Sequence, residues 1–217
     1  MYLSLPQRCY LLCYTVDKEK FELGNIQGRG QFLRAAALTR LTLDGLLSAK
    51  GGKVVQLPAE PPGDPFLAEV RRGVPADKPK KWMRFVHDQA HTAEGAVREQ
   101  LAAAGTITVK EGGWLKPLTG GRVSVNHPRQ VLALQQQVRD AVLRNSDPAA
   151  LSEDELTMAV FSAEVEVSSV FTGKERREHR QAFEALAARY DGLVPGLRKA
   201  LRDSYLSSRA VGGGWGK

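Results

Sequence analysis

The chain has 217 residues, enough to bury roughly 70% of the surface its unfolded form exposes, so neither a disulfide nor a metal is needed to hold a core. Its 31 Lys and Arg outnumber 24 Asp and Glu by seven, and residues 146–166 hold six acids and no Lys or Arg, which leaves +13 on the remainder; such a basic face draws nucleic acid or anionic headgroups, or serves solubility alone. No run approaches the roughly eighteen apolar residues of a membrane span, and the apolar run 9–14 is too short for a signal h-region, so the expectation is a cytoplasmic protein that can lie on the inner face of a membrane without crossing it.

In chain order, Ser4 and Gln7 form a capping box that opens a helix near 5–15. Its Cys9 and Cys13 stand four apart on one helical face, where bridging geometry is poor, and read as reduced core residues. The stretch "GNIQGRGQFLR" (24–34) lacks the spacing of either nucleotide-binding glycine motif. It reads as the entry to a helix near 29–44, whose N-terminal N–H groups are unpaired and which carries Arg34 about one turn inside. Gly45 stops that helix, and Gly51-Gly52 turns the β-prone run after it into a hairpin.

A Pro-rich connection (58–64) ends at Asp64-Pro65, a cap and first-turn proline opening a helix over 65–74. The segment "KPKKWMRF" (78–85) interleaves bases with aromatics. That pattern suits a membrane interface or nucleic acid, and equally an amphipathic helix over 79–90 that buries Trp82, Met83 and Phe85. His87 and His91 have the i, i+4 spacing of a helical zinc site, but Asp88 stands where a metalloprotease needs Glu and no third ligand follows, so no metal is expected.

A helix over 92–104 stops at Gly105, and a second hairpin is expected to turn at Gly112-Gly113, with its return run ending near 118. Trp114 and Leu115, between Lys110 and Lys116, read either as an exposed apolar tip for a bilayer or partner, or as side chains folded back onto the body. Helices follow near 129–144, 153–170, 173–190 and 196–208, the third and second last opened by the capping boxes Ser152/Glu155 and Thr172/Glu175. Residues 211–217 read as a disordered tail.

The sum is a mainly α single domain over 1–210, a helical bundle core surrounded by amphipathic helices with two short β-hairpins. No nucleophile elbow, phosphate loop or catalytic cysteine arrangement occurs, so a non-enzymatic protein without a cofactor is expected. A helix followed by a hairpin, seen twice, is also the outline of a winged-helix DNA binder, which would place Arg29, Arg34 and Arg40 on a recognition helix. A third reading is an oligomeric interaction scaffold that uses the apolar hairpin as its contact and has no lipid ligand.

The order of "LRAAALTRLTLDGLL" (33–47), "GDPFLAEV" (63–70), "AGTITVKEGGWL" (104–115), "NHPRQVLALQQQVRDAVL" (126–143) and "LTMAVFSAEVEVSSVF" (156–171) resembles the Golgi phosphoprotein 3 family, over roughly residues 3–205, and the chain reads as one of its bacterial members. The resemblance implies a helical fold around a central bundle with β-hairpins and, for the eukaryotic members, peripheral binding to phosphatidylinositol 4-phosphate. In that family the headgroup is held by a tryptophan before the second helix, an arginine within it and two arginines three apart on a later helix, while an apolar hairpin dips into the bilayer. The helix arginine falls on Arg34 and the hairpin on Trp114 and Leu115. Asn25 takes the tryptophan position, His91 and Glu94 take the paired arginines, and a one-turn shift brings Arg98 into the second. The expected partner is therefore an anionic phospholipid surface rather than nucleic acid, with a homo-oligomer through the hairpin as reinforcement.

Overall fold

The computed structural model describes residues 3–21, 28–110, 122–144 and 146–212. At its centre lies α2 (Arg29–Leu43), in which every residue from Gln31 to Thr39 is buried. A helix with no solvent face must be surrounded, and α2 packs against α1 (Leu5–Leu12), α3 (Pro65–Arg72), α4 (Trp82–His87), α5 (Ala90–Ala103), α7 (Glu153–Glu164) and α10 (Leu197–Gly212). Three successive alanines, Ala35 to Ala37, keep its girth small. The outer helices α6 (Pro128–Leu143), α8 (Gly173–Glu178) and α9 (Arg180–Leu193) complete a mainly α fold around one core cluster.

The local start signals are satisfied as the sequence suggests. Asp64 accepts from the Phe66 and Leu67 N–H groups at 2.8 and 3.0 Å, and both the Ser152/Glu155 and Thr172/Glu175 boxes close reciprocally. Gly45 and Gly105 sit at φ 71° and 66° just past their helices. The turn of the first hairpin places Gly51 and Gly52 at φ 58° and 72°, the left-handed pair that a two-residue turn requires. It joins β3 (Leu47–Lys50) to β4 (Lys53–Gln56).

Long-range contacts shift several other boundaries. α1 ends at Leu12 rather than near 15: the Gln135 amide, from α6, donates to the Leu12 and Tyr14 carbonyls at 3.2 and 2.8 Å, and the chain turns into a small antiparallel hairpin, β1 (Tyr14–Thr15) with β2 (Lys20–Phe21). α4 begins at Trp82 because Lys80–Lys81 forms β5, an edge strand on β4. α7 ends at Glu164, where Glu166 takes φ 55° while Val165 and Val167 on either side turn into the core. The helix expected over 173–190 breaks at His179 into α8 and α9, and α10 continues to Gly212, into the first two residues of the expected tail. In the second hairpin the partner of β6 (Ile107–Lys110) is β7 (Arg122–Val125), not a run just after Gly112-Gly113; the expected turn and return strand lie outside the described residues.

Candidate anion-binding site

Arg34 is 2% exposed. Its Nε donates to the Phe85 carbonyl at 2.6 Å, one of the last carbonyls of α4, which that helix cannot satisfy itself. Nη1 is buried with no hydrogen-bond partner, and Arg34 forms no ion pair among the described residues. Burial pushes its guanidinium below the ordinary value, an effect that the charges of Glu69 and Asp88 oppose. A buried cation with one neutral acceptor and no adjacent carboxylate is an expensive arrangement.

The same face of α2 meets the start of α5. One turn before Arg34, Gly30 lies so close to that start that an added Cβ would be 1.9 Å from the Ala90 carbonyl oxygen. Gly28 is likewise closed in, with a Cβ 2.6 Å from the Tyr205 ring. Gly28 and Gly30 therefore serve helix contact, not phosphate cradling. Gln89, at φ 56°, separates α4 from α5, and its side chain leaves the α5 N-terminus uncapped, with no acid in the first turn. That end carries the positive pole of the helix dipole and lies against Gly30, one turn before Arg34 on α2.

The remaining residues singled out in the sequence disperse. His91 is exposed on the first turn of α5, and the break at Gln89 puts it on a different helix from His87, whose Nδ1 lies 3.3 Å from Ser204 Oγ; among the described residues no group of three potential metal ligands forms. Glu94 holds Arg29, whose guanidinium also sits 4.7 Å from the Phe21 ring and 5.6 Å from that of Tyr10. Arg98, half-buried two turns into α5, acts electrostatically on Tyr10, as do Arg29 and Glu94. No hydrogen bond joins Arg34 to His91 or Arg98 among the described residues. Asn25, Trp114 and Leu115 lie outside the described residues.

With Arg29 and Arg34 buried and Arg40 held by Asp44 and Asp154, α2 offers no outward row of bases to a DNA groove. The aromatic residues of "KPKKWMRF" are core residues, Trp82 at 1% and Phe85 at 3% exposure, while Lys78, Lys80, Lys81 and Arg84 face solvent.

The sequence reading missed a basic surface at the other end of α4. Strand register places Lys50 opposite Lys53 and Lys53 opposite Lys81. Directly paired residues of antiparallel strands share a sheet face, so these lysines form one row across β3, β4 and β5. All three are exposed, as are Lys78 and Lys80, and none of the five makes an ion pair among the described residues. The sequence signal was the pair of lysines flanking Gly51-Gly52 together with the KPKK run, but only the fold sets them side by side.

The family model for Golgi phosphoprotein 3 (GPP34) matches residues 5–204. No curated protein matches the chain.

Proposed function

The chain belongs to the Golgi phosphoprotein 3 family, and from that premise we propose that it is a non-enzymatic peripheral membrane protein that binds anionic phospholipid headgroups of the phosphatidylinositol 4-phosphate kind. The observation that carries the reading is Arg34, whose buried charge has a single neutral acceptor and an unpartnered Nη1, one turn along α2 from the point where Gly30 meets the uncapped α5 N-terminus. An anion at that end would meet the guanidinium, the helix dipole and His91 together. Arg98 and Asn25 are further candidate contacts, and Trp114 and Leu115 supply the apolar bilayer contact. No described helix is long and apolar enough to cross a membrane, which fits surface attachment, here placed on the inner face of a cytoplasmic membrane. A single such site binds weakly, and a homo-oligomer through the hairpin would raise the avidity.

The test is co-sedimentation with vesicles of neutral lipid, phosphatidylinositol or phosphatidylinositol 4-phosphate at rising salt, for the wild type, Arg34→Gln and Trp114→Ala, each checked for folding by thermal melting. Preference for the phosphorylated headgroup should fall in Arg34→Gln, and overall partitioning should fall in Trp114→Ala. Binding that ignores the headgroup and survives both substitutions would remove the proposal.

A further inference from the structure

We propose that the lysine row Lys50–Lys53–Lys81 is a second membrane contact, an electrostatic platform that lies on the anionic surface of a bilayer. It rests on the reading of the chain as a membrane-surface protein and names a part of the surface that the reading does not include.

The row is an arrangement that folding alone gives no reason to build. Like charges directly opposite each other in antiparallel strands destabilise the pair, and here the juxtaposition occurs twice in succession, Lys50 against Lys53 and Lys53 against Lys81. No described carboxylate forms an ion pair with any of the three, and Asp88, on the far side of α4 from Lys81 in sequence, is engaged with Arg84 at 3.2 Å. Repulsion of this kind is relieved by an external anionic surface.

The platform is also held rigidly. The Trp82 N–H donates to the Gly52 carbonyl at 3.4 Å, and the indole Nε1 donates to the Pro195 carbonyl at 3.0 Å. A Cβ at Gly196 would lie 3.5 Å from both Gly52 Cα and the indole ring. The hairpin turn, the start of α4 and the α9–α10 junction thus lock together, so the backbone that carries the lysines needs no ordering on binding.

Two features favour a bilayer over nucleic acid. The aromatics of this segment are buried, so the row has no face on which bases could stack, and α2 offers no recognition helix. Lysine ammonium groups, compact and strongly hydrated, sum their attraction to a charged plane without demanding bidentate geometry. The platform is also joined to Arg34. Lys81 immediately precedes α4, and Arg34 bonds the Phe85 carbonyl of that same helix, whose six residues span about 9 Å.

The experiment uses the full chain with vesicles of phosphatidylcholine alone, with phosphatidylserine and with phosphatidylinositol 4-phosphate, plus a duplex DNA arm, at low and raised salt. The variants are Lys50→Gln/Lys53→Gln/Lys81→Gln, the corresponding triple Lys→Arg, and Arg34→Gln. A lysine near a charged membrane contributes roughly fivefold to binding, so the glutamine triple should bind phosphatidylserine vesicles at least about tenfold more weakly, with a shallower salt dependence, while the arginine triple binds as wild type. All three lysines are exposed, and melting temperatures check that the fold survives. A glutamine triple that binds phosphatidylserine vesicles like the wild type overturns the platform while leaving the headgroup reading intact. Wild type that binds no anionic vesicle overturns both. Wild type that binds duplex DNA more tightly than vesicles, and loses it in the glutamine triple, reassigns the row to nucleic acid and overturns the bilayer proposal.

Discussion

Arg29 and Glu94 meet through two contacts, Nε to Oε2 at 3.0 Å and Nη2 to Oε1 at 2.8 Å, across 65 residues of sequence. Glu94, which occupies a position where the resemblance expects an arginine, therefore spends its charge on a guanidinium that is 3% exposed. Placing arginine there would strip Arg29 of its carboxylate and add a like charge. Glu94→Arg should lower stability by about 2 kcal/mol or more without improving vesicle binding, and the swap Arg29→Glu/Glu94→Arg should recover part of the loss. Urea midpoints of the wild type and the two variants decide this; equal midpoints for Glu94→Arg and wild type would show that the pair is not structural.

Gly30 and Gly51 look alike in the sequence and should respond differently to a methyl group. At Gly30 the new Cβ would collide with the Ala90 carbonyl, so Gly30→Ala should force α2 and α5 apart at a cost of about 1–3 kcal/mol. At Gly51 nothing lies within 4 Å, and only the φ of 58° resists, a cost of about 1 kcal/mol. Denaturant titrations of the two variants should preserve that order.

Acid should weaken the junction of α6 with α8. The Arg139 guanidinium, bonded to Glu175 at 2.5 Å, and the Thr172 cap hold the Glu175 carboxyl down at about 2 from an ordinary 4.5. A depressed folded value means that the stabilisation is complete above about 4.5 and is lost as pH falls through about 2, because the unfolded chain takes up the proton first. Melting temperature should therefore fall between pH 5 and 2 less steeply in Glu175→Gln than in wild type. Parallel curves would show that Glu175 contributes nothing to acid sensitivity.

The two thiols should be silent in the folded protein. Burial raises both, with Cys13 pushed up to about 12 and Cys9 well above its usual range, and both are at most 1% exposed. At pH 8 a thiol reagent should label them only as fast as the chain unfolds. Labelling independent of added denaturant would contradict the buried placement.

Much of the fold was legible because its signals close within one helical turn. Asp64 reaches N–H groups two and three residues on, Ser152 and Thr172 pair with glutamates three residues on, and Gly45, Gly51, Gly52 and Gly105 hold positive φ through properties of their own backbone. The long apolar pattern of α2 likewise announced a helix, though not its central place. Where a boundary moved, a distant group moved it: Gln135 ends α1 from more than 120 residues away, and β4 draws Lys80–Lys81 out of a helix.

The candidate site divides in the same way. Residue types and spacing alone determined that Arg34 lies inside a helix opened by glycines, that His87 and His91 lack a zinc-binding complement, and that bases cluster in 78–84. Only the tertiary structure decided that Arg34 is buried against the Phe85 carbonyl, that Glu94 belongs to Arg29, and that Lys50, Lys53 and Lys81 stand in one row. The reason is range: caps and turns depend on interactions within about four residues, whereas burial and electrostatic pairing depend on which distant segments the packed core brings within a few ångströms.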